Sequence, residues 1–152
     1  MIGPTPPHSF QLRYIFAAPR EAVFRAWTDA LALKEWFRPA GHRPTAVAID
    51  LYVGGTLHID METEEGDTYH FSGEFQVVQP PEKLVLTWFC SLHDYTSTRL
   101  TLEFHDRGTS TEVLLMHEGF ADKATMTDFV NGWTPAFEAF KRFVARTGDR
   151  ER

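Results

Sequence analysis

Six apolar residues in the last third of the chain, Met126, Val130, Trp133, Phe137, Phe140 and Val144, recur at intervals of four, three, four, three and four. That spacing gathers them on one side of an α-helix of about 25 residues, roughly 37 Å long at a rise of 1.5 Å per residue. Phe129 and Phe143 widen the stripe. A helix with one broad apolar face must bury it, so the rest of the chain has to supply a single apolar surface of matching length. Pro135 lies inside the stripe. It removes one backbone hydrogen bond and crowds the carbonyl of Asn131, so a kink or local break is expected near Asn131–Gly132.

The required surface is written upstream with a period of two. Phe10, Leu12, Tyr14 and Phe16 alternate with more polar neighbours and predict a strand. Two short helices follow, the first opening at Pro19-Arg20-Glu21 and carrying Val23, Phe24 and Trp27, the second carrying Leu31, Leu33, Trp36 and Phe37. From about His42 to His117 the pattern is of strands separated by turns such as Val53-Gly54-Gly55, Glu64-Glu65-Gly66-Asp67 and Asp106-Arg107-Gly108. Strands in series followed by one helix predict an α+β fold built on an antiparallel sheet. A flat sheet would seal against the helix, whereas a strongly curved one leaves space between the two.

The sequence has 152 residues, enough for one domain with a real core. Boundaries are expected at a flexible tail over 1–7, a single domain over 8–146 and a second tail over 147–152. Lys+Arg number 15 against 21 Asp+Glu, a net charge of −6, which argues against nucleic acid as a partner. Cys90 is the single cysteine, so an internal disulfide is excluded and a reducing, cytoplasmic setting is expected. Met1–Pro7 does not read as a secretory signal, and no apolar run approaches the ~18–20 residues of a membrane span. Phe alone supplies 13 residues, so any cavity is expected to be lined with rings.

The segments Pro19–Thr28, Glu35-Trp36-Phe37, Val53-Gly54-Gly55, Pro80–Trp88, and Glu118-Gly119-Phe120 with Gly132-Trp133 resemble, in that order, the START-related SRPBCC superfamily. More narrowly, they resemble its branch of homologues of the activator of the heat-shock-protein-90 ATPase. The resemblance runs from about Phe10 to Val144. It implies the helix-grip fold: a seven-stranded curved antiparallel sheet wrapped around a long C-terminal helix, two short helices after the first strand, and a deep hydrophobic cavity. It says less about activity, because this scaffold carries binders, enzymes and co-chaperone domains alike.

Candidate cavity residues follow from parity. The apolar face of the strands presents Leu57, Ile59, Met61, Phe71, Phe75, Leu86, Trp88 and Leu100, and the helix opposes them with Phe129, Trp133 and Phe137. Trp36 and Phe37 stand where the mouth would be. Polar residues on the apolar parity are the informative ones: Tyr69, Cys90, Thr98 and His117, of which Tyr69 and His117 have the reach to hydrogen-bond a ligand. His58, Asp60 and His70 share the polar face, where alternation alone accounts for them, so no metal is assigned. Cys90, His93 and Asp94 are neighbours in sequence only, which does not make a nucleophilic site. General acid–base work by His117, with Tyr69 as a donor, is chemically open, and nothing in the sequence selects it.

The expected partner is therefore a hydrophobic, aromatic or lipid-like small molecule, bound without a cofactor. A protein partner of the co-chaperone type and a cofactor-free cyclase, dehydratase or hydrolase are the alternatives. Monomer and homodimer both remain open. Leu114, Met116, Val85 and Phe89 would form an apolar patch on the outer face, unless the short helices cover part of it.

Overall fold

In the computed structural model, which describes residues 8–39, 42–92 and 97–150, the chain runs β1 (His8–Phe16), α1 (Arg20–Thr28), α2 (Ala30–Trp36), β2 (Arg43–Ile49), β3 (Thr56–Glu62), β4 (Thr68–Gln79), β5 (Lys83–Cys90), β6 (Thr98–Asp106), β7 (Thr111–Phe120) and α3 (Lys123–Arg150). The strands form one seven-stranded sheet in the order β1-β7-β6-β5-β4-β3-β2, antiparallel throughout. This is the α+β helix-grip architecture. β1 and β2 occupy opposite edges, so the α1–α2 connection between them must cross the width of the sheet. It does so on the concave face, beside α3.

Curvature has a local cause. β4 is the longest strand, 12 residues, and its pairing with β5 shifts register between Phe75 and Val77. An extra residue on one strand bends it and increases its twist. At Gly73 the β4 backbone lies so close to β5 that a Cβ would run into the Thr87 carbonyl, so only glycine allows the two strands to approach there.

The period-two parity holds. Leu57, Ile59, Met61, Phe71, Phe75, Leu86, Trp88, Leu100, Leu102, Val113 and Leu115 are all buried, as are Phe129, Trp133, Phe137 and Phe140 of α3. The outer-face residues Leu114, Met116 and Phe89 are half-buried, and Val85 is buried among neighbouring strands. The short helices leave that face alone: their apolar residues belong to the core on the concave side.

The local break expected at Asn131–Gly132 is absent, because α3 is a single helix of 28 residues through Pro135. A proline forfeits one hydrogen bond and strains the preceding turn. The stripe is packed on both sides of that point, by Phe129 and Trp133 before it and Phe137 and Phe140 after it, which holds the two halves in line. Near it the Thr134 hydroxyl donates to the Val130 carbonyl at 3.0 Å. The helical backbone continues to Arg150, past the boundary expected at 146. The expected tail over 1–7 lies outside the described residues.

The interior is filled unevenly. Asp29 ends α1 and caps α2, its carboxylate accepting from the Ala32 N–H at 3.0 Å. This tight corner brings Trp27 and Trp36 edge-to-face at 4.8 Å, and Trp36 donates its indole N–H to the Ala26 carbonyl at 2.8 Å. The pair lies over the C-terminal half of the α3 stripe: Trp36 is 4.3 Å from Phe140, Phe16 is 4.7 Å from Phe140, and Tyr14 stacks on Phe137 at 4.6 Å. Rings close the space there. Against the N-terminal half of α3 they do not.

Candidate ligand cavity

A hollow of about 250 Å³ remains between the chain that follows α2, the adjoining ends of β4 and β5, and the first half of α3. Its lining is Phe37 and Pro39 after α2, His42 before β2, Tyr69 and Phe71 of β4, Trp88 and Cys90 of β5 with Leu92 beyond it, and Asp128, Phe129, Gly132 and Trp133 of α3. Four of the rings contact one another in a closed circuit: Phe37 to Phe71 at 5.5 Å, Phe71 to Trp88 at 5.3 Å, Trp88 to Trp133 at 5.4 Å and Trp133 to Phe37 at 5.8 Å. Packed edge-to-face or tilted, these rings support each other rather than collapsing inward. Gly132 keeps the helix side open. A Cβ placed there would sit 3.7 Å from Pro39, an ordinary contact, so the glycine is not required by crowding and simply leaves volume.

Polar groups are few. The Tyr69 hydroxyl and His42 Nδ1 are 2.6 Å apart. Burial, and secondarily the nearby Cys90, push the Tyr69 pKa well above the usual phenol range, so the phenol keeps its proton and can donate it to His42. Burial also raises the Cys90 pKa, partly offset by a hydrogen bond from the Leu92 backbone, which leaves a thiol rather than a nucleophilic thiolate. Asp128 stands exposed at the rim and makes no ion pair or hydrogen bond among the described residues.

Of the residues singled out from sequence, Phe37, Tyr69, Phe71, Trp88, Cys90, Phe129 and Trp133 meet around this hollow. Trp36, Leu57, Ile59, Met61, Phe75, Leu86, Leu100, His117 and Phe137 are core residues that do not border it. Sequence reasoning passed over Pro39, His42, Leu92, Asp128 and Gly132. The signal for the last two was available: Asp128 and Gly132 are four apart, hence on one side of the helix beside Phe129 and Trp133, and neither fills a core.

His117 has a different role from the one its reach suggested. It is fully buried, and both ring nitrogens are engaged. The Trp133 indole, which can only donate, gives its N–H to His117 Nδ1 at 3.1 Å. The proton must then sit on Nε2, which donates to the Thr98 hydroxyl at 2.6 Å, and Thr98 donates onward to the Trp88 carbonyl at 2.8 Å. The direction of the chain is fixed because it begins at a pure donor and ends at a pure acceptor. It ties β5, β6, β7 and α3 together and sets the positions of Trp88 and Trp133, two walls of the hollow. Phe10, Phe120 and Phe129 surround the imidazole at 5.5, 4.6 and 5.0 Å, and burial pushes its pKa down to about 3. A neutral ring with no free nitrogen does not perform acid–base chemistry.

The other polar clusters lie elsewhere. His58 Nε2 pairs with Asp60 at 2.8 Å and stacks on His70 at 5.1 Å, on the outer face. No group of three His, Cys, Asp or Glu side chains among the described residues is placed to hold a metal ion. His93 and Asp94 lie outside the described residues. No described helix is long and apolar enough to cross a membrane.

The family model for activator of Hsp90 ATPase homolog 1-like proteins matches residues 17–145, from the end of β1 to the last turns of α3. The chain belongs to this family. Among solved structures, a protein from Rhodobacter sphaeroides is 22% identical, with a TM-score of 0.82 over 96% of this chain and 97% of its own. An AHSA1 protein from Silicibacter pomeroyi is 24% identical, with a TM-score of 0.80 over 92% of this chain and 99% of its own. CalU16 from Micromonospora echinospora is 22% identical, with a TM-score of 0.68 over 93% of this chain and 79% of its own. At these identities the likeness establishes the fold. A comparison with curated proteins finds no match.

Proposed function

We propose that this family member is a small-molecule binding protein that holds a compact, ring-bearing guest between β4, β5 and the first half of α3. The observation that carries the reading is the incomplete filling of the interior. The same aromatic-rich core packs ring on ring against Phe137 and Phe140 in the second half of α3, yet leaves about 250 Å³ beside Gly132, with a Tyr69–His42 pair at its edge. Apolar walls with a few placed polar groups are the usual make-up of a ligand site. The volume lies between the roughly 150 Å³ cavity that takes up benzene and the roughly 300 Å³ at which drug-sized pockets begin. The guest is therefore of one or two rings, smaller than a long-chain lipid.

A thermal-shift panel of one- and two-ring compounds tests this. A binder at a hundredfold excess over its dissociation constant stabilises the fold by about 2.7 kcal/mol, or roughly 5–10 °C for a chain of this size. Gly132→Leu, which fills the hollow from the helix side, is expected to abolish the shift while leaving the unliganded protein folded. A panel in which no compound moves the melting temperature, or a Gly132→Leu variant that still responds, contradicts the reading.

A further inference from the structure

The lining of the hollow is rich in rings. Six of its twelve residues are aromatic: Phe37, Tyr69, Phe71, Trp88, Phe129 and Trp133. Ring faces carry negative electrostatic potential. The single formal charge among them is the Asp128 carboxylate at the rim, which has no counter-ion among the described residues. Lysine and arginine are missing from the lining among the described residues. The nearest arginine in sequence, Arg38, lies instead in a separate groove between α2 and α3 with Arg142 and Arg146. His42 has its Nδ1 engaged with Tyr69. An anionic guest would thus enter a ring-walled site with a carboxylate at its mouth and no lysine or arginine among the described lining residues.

Resting on the binding function proposed above, we infer that the guest is a small organic cation, an amine or quaternary ammonium on an aromatic or compact apolar body. Its cation sits among the rings and its charge is balanced by Asp128. The physical basis is the attraction of a desolvated cation to aromatic faces, which exceeds that of a neutral group of the same shape. An exposed carboxylate adds a smaller, salt-sensitive increment. The preference excludes fatty acids and other carboxylates, the guests a purely hydrophobic pocket would accept.

Three probes of matched size decide it by calorimetry on the full chain: benzyltrimethylammonium, its uncharged isostere neopentylbenzene, and phenylacetate. Benzyltrimethylammonium is expected to bind about tenfold more tightly than neopentylbenzene, with phenylacetate weakest. Asp128→Asn is expected to weaken the cation by about two- to fivefold more than it weakens neopentylbenzene. If neopentylbenzene or phenylacetate binds as tightly as the cation, the charge preference is overturned while the binding function stands. If Asp128→Asn leaves cation affinity unaltered, the role of Asp128 is overturned. If none of the three binds, and the wider panel of one- and two-ring compounds is also silent, the binding function falls and the cation preference with it.

Discussion

Replacing His117 with alanine is expected to lower the free energy of unfolding by about 3–5 kcal/mol. Two costs combine. Removing a buried ring of this size leaves a void among Phe10, Phe120 and Phe129, whose own packing fixes their positions. The Trp133 indole N–H then loses its acceptor in a site that water does not reach. Because whole-domain stabilities are only about 5–15 kcal/mol, the loss should be plain in a urea titration as a lower midpoint. A decrease under about 1 kcal/mol would mean that the imidazole is not the acceptor of the Trp133 donor. Should the alanine variant fail to fold, His117→Gln is expected to be milder, since an amide restores part of the polar pairing.

The second large effect is on acid stability. His117 has a folded pKa depressed from 6.5 to about 3 by burial. The unfolded chain therefore takes up a proton on this residue as the pH falls through 6.5, while the folded chain does not until about 3. Between those values the unfolded state binds more protons, so stability rises with pH. The contribution is complete above about pH 6.5 and is lost on acidification, by at most about 1.4 kcal/mol per pH unit. Glu112 and Asp122 act in the same direction but later. A hydrogen bond from Arg107 and one from the Thr125 backbone N–H respectively hold these carboxyls below their ordinary values of 4.5 and 3.8. Their stabilisation is lost only as the pH falls through those lower folded pKa values. Among the described groups whose pKa is clearly displaced, His117 is thus the one whose contribution changes across the window from pH 6.5 to about 4.5. His117→Gln, which cannot protonate, should flatten the dependence of unfolding free energy on pH across that window. An unchanged slope in this variant would assign the acid sensitivity to other groups.

Both expectations depend on contacts that periodicity does not encode. Period-two alternation and the α3 stripe disclosed which residues face inward, because burial of one face is a local property of a strand or helix. Which half of the interior would be filled is not local. It depends on the Asp29 corner, which turns Trp27 and Trp36 onto Phe140, far away in sequence. His117 was visible as a polar residue on an apolar parity, but its partners come from two other elements, Thr98 of β6 and Trp133 of α3, with Thr98 tied on to the Trp88 carbonyl of β5. Hence reach suggested a ligand contact where the fold makes a sealed cross-link. His42 follows Pro39 in a stretch with no periodic pattern, and only the Tyr69 hydroxyl marks it. The continuity of α3 through Pro135 was likewise beyond a local rule, since rings on both sides of the proline hold the helix together.

A crystal structure grown with 4-bromobenzyl alcohol tests most directly whether the space beside Gly132 is a site for a guest. The bromine gives an anomalous signal that locates the compound without reference to the protein. A single peak bordered by Phe37, Phe71, Trp88 and Trp133 is the predicted result, with those rings displaced little from their mutual distances of 5.3–5.8 Å. Peaks confined to the outer surface, with the four rings closed together over the vacant space, would contradict it.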